Sequence, residues 1–238
     1  MIRSGTAEAA SASRSKFTLA NGTGYFKSEF IASPQGESLA PQSFLVEQDA
    51  DSVILPHFHL QNEFQVVVQG EGSIGRHGVR PLSVHYAGAH TGYGPINAGP
   101  EGLWYFTLRP SMDKGAKFLP EARDEMPKKA PKRHLLGGPV DTSDCSRRTE
   151  AVCEEVFPPQ PDGIGGWIAR VPPQGWVSAP ALEGGLGRFY VVASGHATIG
   201  ACAELGKWAT VFASPDEEPV RIKAGPQGAE VLVLQFPQ

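Results

Sequence analysis

Short apolar runs separated by turn residues set the pattern of this chain. In the first half the clearest runs are Ser43–Val46, Phe64–Val68, Leu82–Tyr86 and Leu103–Leu108. Valine and aromatic residues dominate several of them, glycine and proline stand between them, and helical periodicity with capping residues is scarce. Runs of this length bounded by turn signals are typical of strands in β-sandwiches and β-barrels, so the pattern predicts an all-β protein.

The second half of the chain repeats the first. Gly70–Gly75 matches Gly195–Gly200 at an offset of 125 residues, and Ala98–Gly102 matches Ala224–Gly228 at an offset of 126 residues. The matched blocks occur in the same order and nearly in register, and each copy then continues into a strand that ends in proline. The repeat therefore predicts an internal duplication of one β-domain of about 100 residues.

The repeat and the composition divide the chain into four predicted segments. Residues 1–16, which are mostly small polar residues and alanines, predict a disordered tail. Residues 17–110 form the first barrel and residues 150–238 the second. Residues 111–149 are rich in lysine, arginine and proline, which favours a solvated connector between the two barrels.

The net charge and the hydropathy of the chain indicate which classes of binding partner are not expected. The chain has 238 residues with 21 Lys and Arg against 25 Asp and Glu, giving a formal net charge of −4. Nucleic-acid binding domains normally carry a basic excess, so no nucleic-acid partner is expected. No run of 18 apolar residues occurs, which predicts that no helix spans a membrane.

Cysteine usage and the N-terminal residues bear on the compartment. Three widely spaced cysteines, Cys145, Cys153 and Cys202, form neither a disulfide framework nor a CxxC metal motif. The first residues lack the apolar central region of a signal peptide. A reducing, cytoplasmic location is the expectation.

The strongest chemical signal is a group of three potential metal ligands within seven residues. His57 and His59 are two apart, so in a strand their side chains share a face. A turn after His59 brings Glu63 back opposite them at the start of the next strand. Two imidazoles and one carboxylate form a ligand set of catalytic transition-metal sites. His90 is the predicted fourth ligand, because the repeat places it opposite Asp216 just past a strand, and His85 is the alternative.

These residues resemble the first motif of the cupin superfamily, G-x5-H-x-H-x3-4-E-x6-G. His57, His59, Glu63 and Gly70 stand at its spacings, with Asp51 in place of the leading glycine. The second motif, G-x5-P-x-G-x2-H-x3-N, is matched less well, since its proline is missing and one residue rather than two separates the glycine from His90. The resemblance implies two tandem cupin-type jelly-roll β-barrels, a bicupin, with a metal in the mouth of the first barrel.

The second copy lacks the ligand types of the first. At the offset of 125 residues, the positions of His57, His59 and Glu63 fall on Leu182, Gly184 and Arg188. An arginine cannot bind a cation. The C-terminal barrel is therefore expected to hold no metal, which predicts one divalent transition metal per chain, with iron preferred to manganese, nickel or zinc.

The function expected from the resemblance is a metal-dependent enzyme that acts on a small organic substrate, a dioxygenase or related oxidoreductase. Proteins of the superfamily also include oxygen-independent isomerases, lyases and decarboxylases, and non-catalytic metal-binding or small-molecule-binding bicupins, which remain as alternatives.

Gln65 and Tyr105 are the candidate substrate-binding residues. Gln65 shares the strand face of Glu63, so it either lines the pocket or fills the barrel, and Tyr105 either lines the pocket or joins the core. Arg109 ends the same run as Tyr105 and is expected at the surface, with contact to a substrate carboxylate as the alternative.

The assembly expected is a homodimer. The run Glu230–Gln235 is apolar on both strand faces at Val231–Leu234, which indicates that both faces are covered. The inside of the barrel covers one face, while the partner sheet, the other domain or a second chain covers the other.

Overall fold

A computed structural model describes residues 1–33, 39–129, 131–180, 184–217 and 220–238. In chain order, the strands are β1 Ile2–Gly5, β2 Ser15–Thr18, β3 Gly24–Ile31, β4 Gln42–Gln48, β5 Val53–Ile54, β6 His57–Phe58, β7 Glu63–Ile74, β8 His77–Val79, β9 Val84–Ala87, β10 Ile96–Arg109, β11 Lys117–Phe118, β12 His134–Gly137, β13 Val152–Phe157, β14 Gly165–Val171, β15 Trp176–Ser178, β16 Arg188–Ile199, β17 Thr210–Ala213 and β18 Arg221–Gln235. The helical elements in these ranges are α1 Ala7–Ser11 and the 3-10 turns Glu121–Glu125 and Cys145–Arg147. The all-β prediction is confirmed, and no helix in the described ranges has the length and apolar character needed to cross a membrane.

The chain folds into two compact units. One comprises residues 11–139 and the other residues 1–10 together with 140–238. In the first unit, antiparallel strands are ordered β12-β9-β7-β10-β4-β3-β2, with β5 on β10, β8 on β7, and a small sheet of β11 and β6. In the second, the order is β1-β17-β16-β18-β14-β13, with β15 on β18.

The repeated glycines lie in the same environment in both units. Gly70 pairs with Leu103, and Gly195 pairs with Ala229. Both glycines have a positive φ, +76° for Gly70 and +70° for Gly195. A Cβ at either position would overlap a carbonyl oxygen on the neighbouring strand, that of Gly102 in the first unit and of Gly228 in the second. The duplication read from the sequence therefore corresponds to a shared close approach of backbones, which only glycine permits.

The prediction of a disordered tail over residues 1–16 is wrong. Ile2–Gly5 forms β1 on the edge of the second unit, in register with β17. Ile2 packs against the apolar core there, and the Met1 ammonium group lies 2.5 Å from a Glu217 carboxylate oxygen. Ser15–Thr18 forms β2 on the first unit. An edge strand with unpaired backbone groups recruits such a segment even when its composition is polar.

The segment 111–149, predicted as a connector, is divided between the two units at residues 139 and 140. Its first part builds the first unit: β11 pairs with β6 and β12 pairs with β9. Phe118 lies opposite His57 and packs against the apolar core. The lysines and prolines of this segment suggested a linker, but its few apolar and acidic residues attach it to the barrel.

Strand β18 is covered on both faces, as its sequence predicts. Val231, Leu232, Val233 and Leu234 are all fully buried in the single chain. This strand therefore leaves no free apolar face for a second chain, and the homodimer stays a prediction.

Candidate functional site

A cavity of about 190 Å³ opens in the first unit. Its apolar side is formed by Leu19, Tyr25, Phe44, Val46, Ile54, Ala116 and Phe118. Its polar side is formed by Lys27, Gln42, His57, His59, Gln65, Tyr93, Tyr105, Thr107, Arg109, Asp113 and Lys114. Pockets for drug-sized ligands are typically ~300–1,000 Å³, so this cavity suits a smaller molecule. Both predicted substrate-binding residues, Gln65 and Tyr105, line it.

The two histidines of the H-x-H motif are held in the same way. His57 Nδ1 lies 2.7 Å from the Leu55 carbonyl oxygen, and His59 Nδ1 lies 2.9 Å from Asp113 Oδ1. Each of these oxygens accepts, so each Nδ1 carries a ring hydrogen, and Nε2 is the ring nitrogen left for a metal. Burial, reinforced by His59, lowers the pKa of His57 to about 4, which keeps its imidazole neutral near pH 7.

Glu63 is buried at the start of β7, with 1% of its surface exposed. Its Oε2 accepts from Arg109 Nε at 3.0 Å and from Arg109 Nη2 at 2.9 Å. Its Oε1 accepts from the Tyr93 hydroxyl. Burial acts to raise the pKa of this carboxyl group, but interactions with His59, Arg109 and Tyr93 outweigh it and lower the pKa to about 2. Glu63 is therefore an ionised carboxylate inside the barrel.

Arg109 is not the surface residue that the sequence suggested, since only 4% of it is exposed. Tyr105, Thr107 and Arg109 alternate along β10 and share its barrel-facing side. The pairing of Leu108 with Phe64 then sets Arg109 beside Glu63. Its Nη2 also lies 3.1 Å from both ring nitrogens of His59, so the guanidinium lies against the face of the imidazole. The guanidinium thus lies between two of the predicted metal ligands.

Tyr93 is a site residue that the search for histidines missed. Its backbone forms a β-bridge with His57, exchanging hydrogen bonds of 3.0 and 2.9 Å. Its hydroxyl oxygen lies 2.9 Å from His57 Nε2 and 3.3 Å from Gln65 Nε2, besides its bond to Glu63. The single hydroxyl hydrogen therefore faces two acceptors, the Glu63 carboxylate and the neutral His57 Nε2. Only one of them is satisfied at a time.

His90, the predicted fourth ligand, lies outside the cavity. Its ring is 6.2 Å from that of Phe58, whose side chain points to the opposite face of β6 from His57. Its Nδ1 is buried without a hydrogen-bond partner among the described residues, and its backbone nitrogen donates to the His59 carbonyl oxygen at 2.7 Å. The prediction that His90 joins His57, His59 and Glu63 is therefore wrong in this structure.

His85, the alternative fourth ligand, is also kept apart from the two histidines. Its Nδ1 lies 2.8 Å from Gln65 Oε1, and its Nε2 lies 3.3 Å from His134 Nδ1. Gln65 and Tyr93 stand between His85 and His57. Burial lowers the pKa of His85 to about 3, so it is neutral near pH 7.

Three of the four predicted ligands are thus brought together, but around the chain's own groups. In the parts of the chain that the structure describes, no three His, Cys, Asp or Glu side chains are arranged to hold a metal ion. His59 Nε2 is 3.9 Å from Glu63 Oε2, with the Arg109 guanidinium against both. A metal at this site stays a prediction.

The second barrel carries mainly apolar side chains at the equivalent inner positions. Tyr190, Val231 and Val233 lie in its core, at the positions that correspond to Gln65, Tyr105 and Thr107. Arg188 is buried at the position of Glu63. Leu182 falls outside the described residues, and Asp216 is exposed.

Comparison of the structure with solved structures identifies the fold as tandem cupin-type jelly-roll β-barrels, whereas no protein-family model and no curated protein matches the sequence. Pirin YhhW from Escherichia coli, solved with nickel(II), has a TM-score of 0.55 and 11% identity over 100% of this chain and 99% of its own. A Nostoc punctiforme protein, provisionally assigned as a dioxygenase, has a TM-score of 0.58 and 12% identity over 100% of this chain and 79% of its own. A variant of oxalate decarboxylase from Bacillus subtilis has a TM-score of 0.59 and 13% identity over 100% of this chain and 77% of its own.

Proposed function

We propose that the first barrel is the active centre of a metal-dependent enzyme that acts on a small organic molecule, with His57, His59 and Glu63 as metal ligands. The observation that carries this proposal is the anchoring of both imidazoles through Nδ1, which presents both Nε2 atoms on the side of the buried Glu63 carboxylate.

The donor chemistry of this set fits a divalent transition metal. Neutral imidazoles and an ionised carboxylate are ligands that such metals prefer. The bond from His59 Nδ1 to the Asp113 carboxylate repeats the carboxylate–histidine arrangement that orients metal-binding imidazoles. His57 Nε2 has only a shared hydroxyl hydrogen to satisfy it. Tyr93, rather than His90 or His85, occupies the remaining side of the set.

The chain's own residues define what the cavity accepts. The apolar residues Phe44 and Phe118 suit the carbon skeleton of a substrate, and Gln65, Thr107 and Tyr105, which line the same cavity, offer hydrogen bonds. A bound metal would supply Lewis-acid chemistry or, if it is iron, dioxygen activation. The similar E. coli pirin structure was solved with nickel(II), which supports the proposal of a divalent metal here.

The reaction that we favour is oxidation by dioxygen, and the provisional dioxygenase among the similar structures supports it. The similarity to oxalate decarboxylase supports the oxygen-independent alternative of a decarboxylase, isomerase or lyase. Turnover of candidate substrates, measured with an oxygen electrode and again under argon, separates the two. Oxygen uptake that follows iron loading supports the oxygenase, whereas unchanged turnover under argon supports the alternative.

A second candidate is a small-molecule binding module that uses no metal. It is favoured by Arg109 and Tyr93, which already donate to Glu63 and lie against His59 and His57. In such a module, the guanidinium and the neighbouring Gln65 and Tyr105 would recognise the ligand directly.

Metal stoichiometry tests the leading proposal. Protein purified without a polyhistidine tag and reloaded in turn with Fe²⁺, Mn²⁺, Ni²⁺ or Zn²⁺ should retain one equivalent of metal per chain by elemental analysis. The double variant His57→Ala/His59→Ala should retain none. The matched control is His77→Ala/His196→Ala, which removes two exposed histidines and should retain metal as the unmodified chain does. Full occupancy in the first variant would contradict the assignment.

The proposal includes a cytoplasmic homodimer with no nucleic-acid or membrane partner. The mild negative charge of the chain supports the absence of a nucleic-acid partner. Light scattering across micromolar concentrations tests the assembly, and a monomer throughout that range would remove the dimer.

A further inference from the structure

The cation nearest to the buried Glu63 is a guanidinium of the same chain. Arg109 donates to Glu63 Oε2 from Nε at 3.0 Å and from Nη2 at 2.9 Å, and Nη2 lies 3.1 Å from His59 Nε2. We propose that Arg109 is a tethered counter-cation that closes the site, and that a divalent metal binds between Glu63 and His59 only when this guanidinium moves away. This inference rests on the proposed metal site.

Two features make the guanidinium and a metal mutually exclusive. A metal bound to Glu63 Oε2 has to take the place of Arg109 Nε and Nη2, which already donate to that oxygen, and Nη2 also lies 3.1 Å from His59 Nε2. In addition, two cations held a few ångströms apart in a buried site repel strongly, because little water screens them. Arg109 and Glu63 are 4% and 1% exposed, so this site lies away from bulk water.

The charges around the site favour an exchange in both directions. Glu63 and Asp113 both have a lowered pKa and are ionised, although burial acts to raise it in each case. The Arg109 guanidinium balances one of these carboxylates, whereas a divalent ion balances both. With the guanidinium alone, one of the two negative charges therefore remains unbalanced. With a divalent metal bound, both are balanced and the guanidinium is no longer required for charge balance.

The displaced guanidinium has partners within the same cavity. Arg109 Nη1 already lies 3.5 Å from Gln42 Oε1 and 3.9 Å from Asp113 Oδ1, and the guanidinium carbon is 5.4 Å from the centre of the Phe44 ring. A rotation towards these groups would release Glu63 and His59 while keeping the positive charge close to a carboxylate and an aromatic face.

The second barrel changes both members of the pair together. Arg188 stands at the position of Glu63, and Gln235 stands opposite it, where Arg109 stands in the first barrel. The second barrel lacks the carboxylate, and its strand β18 also lacks an arginine at the position that corresponds to Arg109. This pattern fits a guanidinium whose place depends on Glu63.

Titration calorimetry with Ni²⁺ and Zn²⁺ tests the exchange. Arg109→Gln should bind each metal about tenfold more tightly than the unmodified chain or better, because no cation has to be displaced. Arg109→Lys retains a positive charge and should stay close to the unmodified affinity. The matched control is Lys27→Gln, which removes a positive charge from the same cavity without touching a ligand and should change the affinity less than about twofold. Equal or weaker binding by Arg109→Gln would overturn the inference.

A measurement on the unmodified chain avoids the question of whether a variant folds. In the metal-free protein, the Arg109 Nε hydrogen is bonded to Glu63 and buried, so its ¹⁵N-resolved NMR signal should be protected from solvent exchange. Saturation with diamagnetic Zn²⁺ should shift this signal and abolish the protection. A signal that stays unchanged while Zn²⁺ binds to His57 and His59 would overturn the exchange.

The outcomes separate this inference from the proposed function. If the unmodified chain binds metal through His57 and His59 but Arg109→Gln binds no more tightly, the function stands and the exchange fails. If only Arg109→Gln binds metal, the guanidinium closes the site as inferred, and the metal-dependent function of the unmodified chain fails. If neither binds metal, both fail.

Discussion

The interior of the first barrel presents Glu63, Gln65 and Arg109, whereas the second barrel presents Arg188, Tyr190 and Gln235 at the corresponding places. The strands that carry these residues pair in the same register, with Thr107 opposite Gln65 in the first unit and Val233 opposite Tyr190 in the second. The same strand pairing thus supports a polar cavity in one copy and a largely apolar interior in the other. The chemistry depends on a few inward positions, and those positions can change without changing the fold.

The largest effect that we expect comes from breaking the buried ion pair of the first barrel. Arg109→Met leaves Glu63 as an unpaired buried charge, which should lower the free energy of unfolding by about 4 kcal/mol. The double variant Arg109→Met/Glu63→Gln should recover much of this loss, because the uncompensated charge is gone. Urea unfolding of the two single variants and the double variant measures the coupling.

The second barrel provides the control for this pair. Arg170 and Glu230 are a buried ion pair in the C-terminal unit, and Arg170→Met should destabilise by a similar amount. Saturating Ni²⁺ should restore stability to Arg109→Met but not to Arg170→Met, because metal binding to the native state alone stabilises by mass action. Equal restoration of both variants would contradict a metal site confined to the first barrel.

Acid should destabilise the first unit selectively. The folded-state pKa values of His57 and His85 are about 4 and about 3, below their unfolded value near 6.5, so the unfolded state binds more protons. Above pH 6.5 the two histidines are neutral in both states and do not change the free energy of unfolding with pH. Below pH 6.5 that free energy falls, by roughly 3 kcal/mol at pH 4 for His57 alone. Glu63, with a pKa of about 2, adds a further loss as the pH falls from 4.5.

Tryptophan fluorescence resolves this difference between the units. Trp104 lies in the first unit, and Trp167, Trp176 and Trp208 lie in the second. A variant that keeps only Trp104 should report unfolding at a higher pH than one that keeps only Trp167. His57→Gln should flatten the dependence between pH 6.5 and 4, whereas the exposed control His77→Gln should not. Coincident acid transitions in both units would argue against a titrating site specific to the first.

The sequence was sufficient for the fold and for the neighbourhood of His57, His59 and Glu63. Apolar runs and turn residues are local signals, and strand parity put the two histidines on one face. Arg109 and Tyr93 could not be placed in this way, because their positions depend on pairing between strands far apart in the chain, β10 on β7 and the bridge of Tyr93 to His57. The alternation of Tyr105, Thr107 and Arg109 along β10 was the available signal for Arg109.

The segment after β10 shows a second limit of sequence reasoning. Its lysines and prolines have the composition of a linker, yet Asp113 holds His59 and Phe118 lies opposite His57. The composition of a segment is an average over all its residues. The position of this segment depends instead on Asp113 and Phe118, whose contacts attach it to the first barrel. The repeat gave no help here, because the matched blocks end with β10.

The shared glycines should respond equally in both barrels. Gly70→Ala and Gly195→Ala each place a Cβ against a carbonyl oxygen at a positive φ, which should cost roughly 2 kcal/mol of unfolding free energy in each case. Gly78→Ala is the matched control, since a Cβ there meets nothing within 4 Å, and its effect should be small. Unfolding by urea measures all three. A large cost at only one of the two repeated glycines would break the equivalence of the barrels.

The smallest effect concerns Asp113, which has no counterpart in the matched blocks. Its Oδ1 accepts from His59 Nδ1 at 2.9 Å and from the Gly115 nitrogen at 2.8 Å, and its Oδ2 accepts from the Leu60 nitrogen at 2.8 Å. Asp113→Asn keeps the shape but removes the charge and turns an amide NH₂ towards one of these donors. The orientation of His59 should loosen, and the affinity for Ni²⁺ should fall about tenfold, or roughly 1.4 kcal/mol.

Calorimetry on Asp113→Asn should be paired with Asp51→Asn, which removes an exposed carboxylate at a turn of the same unit. Asparagine tolerates the positive φ of that turn, so the control should fold normally and bind Ni²⁺ within about twofold of the unmodified chain. If Asp113→Asn also stays within twofold, Asp113 serves only to attach its segment to the barrel. A loss confined to Asp113→Asn would instead show that the first barrel obtains part of its site from outside the duplicated strands.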